Sequence, residues 1–103
     1  MFKFISFGSG SSGNCYYLYT ENGGILIDVG VGTRKLKNHF GDYGLNYFNG
    51  IKAILVTHDH ADHIKSVGNI SKKFDTPVYA TRPVHSGMDS NVCMRSKITH
   101  DRR

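Results

Sequence analysis

The segment Ile54–Ile64, ILVTHDHADHI, constrains this chain more than any other. Three histidines and two aspartates (His58, Asp59, His60, Asp62, His63) fall within six residues, directly after a run of apolar β-formers. The run "IKAILVT" reads as a buried strand. From Asp62 onward Ile64, Val67, Ile70, Ser71 and Phe74 recur at three- and four-residue steps, the period of a helix, which ends before Pro77. The cluster therefore stands where a strand passes into a helix. Residues two apart in extended backbone point to one side, so His58 and His60 can converge. Asp62 and His63 follow at the helix entrance, where a carboxylate meets the positive end of the helix dipole. Imidazoles with a carboxylate suit Zn²⁺, Mn²⁺ or Fe²⁺. Two neighbouring ions, one per pair of ligands, are easier to seat here than three ligands on one. A surface turn accounts for a lone histidine, but not for so dense a group.

Upstream, "FKFISF" reads as a strand with Phe2 and Phe4, and Phe7 after them, packing inward. "GSGSSGN", Gly8 to Asn14, is loop chemistry, and "CYYLYT" is aromatic enough for a second strand. "ENGG" supplies an Asn-Gly hairpin turn, and "ILID" is a third strand. Val31, Leu36 and Phe40 then fit an amphipathic helix opened by Thr33 as N-cap and stopped near Gly41 or Gly44. "PVYA" is one more short strand, and beyond Thr81 the signal weakens. The order β-β-β-α-β-α-β predicts an α/β domain with a layered sheet. The chain reads as one domain over 1–103, with 91–103 a poorly ordered tail.

Composition bounds the partners. The formal net charge of +5 is compatible with a polyanion but by itself speaks to steering and solubility. No apolar run approaches the roughly 20 residues of a membrane helix, and the N-terminus lacks a signal peptide's apolar core. A cytoplasmic, never exported protein is expected, without membrane contact. Cys15 and Cys93 form no C-x-x-C pair and read as two buried free thiols.

His58-x-His60-x-Asp62-His63 is similar to the H-x-H-x-D-H signature of the metallo-β-lactamase superfamily. "ILIDVG" resembles the strand that precedes that motif, and the family residue matching Asp28 supports a ligand histidine from beneath. "SFGSGSSGNCYYL" resembles the N-terminal hairpin of the YycJ/WalJ-like branch, whose best-described activity is exonuclease action on DNA. The resemblance runs from Phe2 to about Arg95. It implies the N-terminal half of a metallo-β-lactamase-type αββα sandwich, a layered β-sheet with helices on one face. It also implies two divalent metal ions, Zn²⁺ first and Mn²⁺ or Fe²⁺ as alternatives. His58 and His60 would hold one ion and Asp62 and His63 the other. Asp62 also helps orient the nucleophile, and metal-activated hydroxide would hydrolyse the substrate. The serine–glycine loop reads as a tight connector, as an anion-binding nest in which Ser11, Ser12, Gly13 and Asn14 face a phosphate, or as an expression scar.

Family members are about twice this long or more, and their remaining ligands match nothing here. His39, His85, Asp89, His100 and Asp101 read as ordinary surface or packed residues. The chain is therefore expected to be incomplete and inactive by itself, and to form a homo-oligomer that buries the sheet face left by a missing half. For the complete protein the leading expectation is a phosphodiesterase or DNA exonuclease. Hydrolysis of a small thioester, lactone or lactam is the alternative. A non-catalytic fragment that binds metal or nucleic acid weakly is the third reading.

Overall fold

The computed structural model describes residues 2–10, 13–58, 60–89 and 96–99, with 85, 87–89 and 96–99 given by backbone alone. Six strands form one sheet: β1 (Lys3–Gly8), β2 (Cys15–Thr20), β3 (Gly23–Val29), β4 (Ile51–Leu55), β5 (Pro77–Ala80) and β6 (Ser96–Thr99). They lie side by side in chain order. The first three are joined antiparallel, and β3 through β6 run parallel. Parallel neighbours need crossovers, supplied by α1 (Thr33–Asp42), then α2 (Ala61–Ile64) with α3 (Val67–Phe74), then α4 (Arg82–Asp89). The sequence order is thus extended by α4 and β6. Of the expected tail over 91–103, residues 96–99 pair with β5, and the others lie outside the described residues.

Strand register sorts the side chains. Tyr17 pairs with Leu26, Leu26 with Ile54 and Ile54 with Val78, one continuous row on the helix-bearing face. Leu36 and Phe40 of α1 and Val67 and Ile70 of α3 close over it, all fully buried. The opposite face carries Leu18, Ile25 and Ala53 in one row and Ile27, Leu55 and Tyr79 in another. No described helix covers them, and Leu55 and Tyr79 are 38% and 37% exposed. No helix among the described residues is long and apolar enough to cross a membrane.

Three local expectations need correction. Phe2 and Phe4 are exposed while Phe7 is buried, because alternation along β1 turns Ile5 and Phe7 toward the helices and Phe4 the other way, onto Tyr16. The cap of α1 is Gly32, not Thr33: the first helical bond runs from Leu36 N–H to the Gly32 carbonyl, and no side chain caps it. The helix expected from Asp62 to Phe74 is broken in two. Buried Ser66 donates its amide to the Val29 carbonyl and its hydroxyl to that of Val31, which ties the chain to the end of β3 and resets the helix.

Candidate metal centre

The centre is built where β3 and β4 end. Between the pairs Cys15–Val29 and Tyr16–Ile27 the ladder slips by one residue, so Asp28 has no partner opposite it. Its backbone is left-handed, φ 63°, which an aspartate tolerates better than most residues. A bulge of this kind re-aims a side chain, and here it drives the carboxylate inward, 2% exposed.

That carboxylate is fully engaged. Oδ1 accepts the Thr57 amide at 2.8 Å, and Oδ2 accepts the Thr57 hydroxyl at 2.6 Å. Oδ2 also lies 2.7 Å from His63 Nδ1. A carboxylate only accepts, so Nδ1 of His63 carries the proton and Nε2 keeps its lone pair. The Thr57 hydroxyl donates its one hydrogen to Asp28. Its 2.9 Å contact with His58 Nδ1 therefore has the imidazole as donor, which makes Nε2 the ligand atom of the neutral His58 ring. One buried aspartate fixes the tautomers of two histidines, one directly and one through Thr57.

The His58 and His63 rings lie 4.6 Å apart by centroid; His60 is 5.9 Å from the first and 6.4 Å from the second. The closest pair is thus His58 with His63, rather than His58 with His60. Asp62 Oδ2 is 3.8 Å from His63 Nε2. Among the described residues, one ligand-type atom each from Asp28, His58 and His63 lie within 4.8 Å of one another. Asp28 is the poorest ligand of that trio, because both its oxygens already accept hydrogen bonds. His58 and His63 belong to that group, and His60 and Asp62 stand beside it, imidazole and carboxylate donors of the kind a divalent cation takes.

Gly13 and Asn14 are buried, and the Asn14 side chain is engaged by Gly10 and Asp62 rather than turned to solvent. Ser11, Ser12 and Asp59 lie outside the described residues, as do His100, Asp101 and the side chains of His85 and Asp89. His39 packs against Phe7, ring on ring at 5.2 Å, away from the cluster. Thr57 carries no role in the sequence reading, and Asn14 is read there as facing a phosphate, whereas its side chain bonds Asp62. The position of Thr57 directly before His58 was the available signal.

Comparison with known proteins bears on the family and the fold. The family model described as "Metallo-beta-lactamase superfamily" matches residues 8–88. An "Exodeoxyribonuclease YycJ" of Bacillus anthracis is 40% identical over 81 residues, 79% of this chain and 30% of that protein. An "Exodeoxyribonuclease WalJ" of Streptococcus pneumoniae is 33% identical over 90 residues, 87% of this chain and 33% of its own length. The solved structure of TTHA1623 in a di-iron-bound form superposes with a TM-score of 0.63 at 29% identity, covering 95% of this chain and 52% of that one. The chain spans about a third of the length of these curated relatives. With the motif, the fold and the family model in agreement, this chain belongs to the metallo-beta-lactamase superfamily.

Proposed function

We propose that this chain carries part of the metal centre of a metal-dependent phosphodiester hydrolase of the exodeoxyribonuclease type, and that Zn²⁺ is its first-choice metal. The observation that carries the reading is the Asp28 network, which engages Nδ1 of His63 directly and Nδ1 of His58 through Thr57, so that each ring offers Nε2 as its ligand atom. Support for DNA as substrate comes from the names of the two exodeoxyribonuclease relatives and from the net charge of +5. The same reading places the protein in the cytoplasm, where the buried thiol of Cys15 stays reduced.

His58, His60, Asp62 and His63 would hold the ions. A bound divalent cation supplies positive charge that acidifies a water and stabilises charge building on the attacked phosphoryl group. Asp28 and Thr57 keep the two imidazoles in the tautomer that offers Nε2. Asp62, partly exposed beside them, would orient the attacking water by accepting a hydrogen bond from it. The second half of the ligand set lies outside this chain's motif, so the chain by itself is expected to bind metal weakly and to turn nothing over.

The test is a substrate panel of end-labelled duplex DNA, bis-p-nitrophenyl phosphate and nitrocefin, offered with Zn²⁺ or Mn²⁺ to this chain and to a protein that carries the same centre with a complete ligand set. The expected result is chelator-sensitive shortening of DNA by the protein with the complete set only. Turnover of nitrocefin without DNA cleavage would replace this reading with the small-substrate one.

A further inference from the structure

We propose that Asn14 is the positioning residue for Asp62, and that the Gly10 backbone holds the Asn14 carboxamide in place. The proposal rests on the reading of the imidazole cluster as a metal centre.

Asn14 is nearly buried, 9% exposed, and every polar atom it has is used. Its backbone N–H donates to the Asp62 carbonyl at 2.6 Å, and its carbonyl accepts from Gly30 N–H at 2.8 Å. In the side chain, Oδ1 accepts the Gly10 amide at 3.0 Å, and Nδ2 donates to the Gly10 carbonyl at 2.9 Å. The Gly10 N–H can only donate, which settles which end of the carboxamide is oxygen. Nδ2 must therefore face Asp62. It lies 3.0 Å from Asp62 Oδ2, 3.2 Å from the Asp62 carbonyl and 3.4 Å from His63 Nε2.

The main-chain bond already fixes where Asp62 stands. The carboxamide bond does something different: it holds one carboxylate oxygen on the side of His63. Oδ1 is left without a hydrogen bond among the described residues and turns with the plane that Asn14 sets. α2 has only four residues, so few neighbours of its own restrain the Asp62 side chain. Gly30 completes the seat, because any Cβ there would fall on the Asp62 carbonyl and within 2.8 Å of Asn14 N. Gly10 thus holds the Asn14 side chain at both ends, and Asn14 in turn holds a carboxylate oxygen of a candidate ligand 48 positions away.

The test is a double-mutant cycle on the 103-residue chain, pairing Asn14→Ala with Asp62→Ala and reading Zn²⁺ affinity by competition with a chromophoric chelator. Loss of a residue that orients a ligand weakens binding about 10- to 100-fold. In the Asp62→Ala background Asn14→Ala is expected to change affinity less than about twofold. An equal loss in both backgrounds, or no loss in either, overturns the proposal. A metal-free readout runs beside it: Asp62→Ala is expected to shift the Asn14 side-chain amide signals in a ¹H–¹⁵N spectrum, and unmoved signals overturn the contact. Wild-type chain that binds no Zn²⁺ would defeat the metal reading, and the spectrum alone would then decide the contact. The spectrum also decides should Asn14→Ala fail to fold.

Discussion

Asp28 acts on more than the imidazoles. Cys15 begins β2 beside it and is fully buried. Burial first, and the Asp28 charge second, push the thiol from 9.0 up to about 12. Tyr17, whose hydroxyl donates to the Gly50 carbonyl at 2.6 Å, is pushed from 10.0 to about 12 by burial and then by Tyr19. Both groups hold their protons more tightly folded than unfolded. Their contribution is whole below pH 9 and is lost as pH rises from 9 toward 12. Stability by chemical denaturation is therefore expected to be flat with respect to Cys15 at neutral pH and to fall above pH 9. Cys15→Ala should make that alkaline fall less steep. An identical fall in both proteins would contradict the account. Nε2 of half-buried His39 has no hydrogen-bond partner among the described residues.

At the scale of elements, the strands and the strand-to-helix switch at position 58 were legible because their patterns are local. Alternation and apolar runs marked β2, β3 and β4, and the ligand spacing marked the centre. What stayed hidden depends on contacts far apart in the chain. No local pattern shows that Asp28 sits in a bulge opposite Cys15, that Ser66 anchors on Val29 and Val31, or that Asn14 reaches Asp62. The inward reading of Phe2 and Phe4 failed for the same reason, since which face of β1 is covered is decided by helices that follow much later. Element packing also makes a sharp prediction at Gly30, where β3 hands over to α1. Gly30→Ala forces a methyl onto the Asp62 carbonyl. It should cost about 1–3 kcal/mol or more, as overpacking does, visible as a lower melting temperature. An unchanged melting temperature would show that the loop, the turn and α2 are not packed as described.

At the scale of the molecule, the governing feature is a sheet that the described helices cover on one face. Leu18, Ile25, Ile27, Ala53, Leu55 and Tyr79 form an apolar surface on the other, with Phe4 stacked on Tyr16 at its edge. Water against so continuous an apolar face is unfavourable. For this chain by itself we propose that a second copy covers it, sheet against sheet. Sedimentation at micromolar concentration is expected to show a dimer or larger, and Leu55→Lys should shift it toward monomer. A compact wild-type monomer would contradict this. On the function proposed above, Asp28 and Thr57 would present His58 and His63, the closest pair of rings in the cluster, to a divalent cation. The most direct measurement is calorimetric titration of the chain with Zn²⁺, beside the double variant His58→Ala/His63→Ala. Saturable binding by the wild type and none by the variant is the predicted result. Equal binding by both, or none by the wild type, would contradict it.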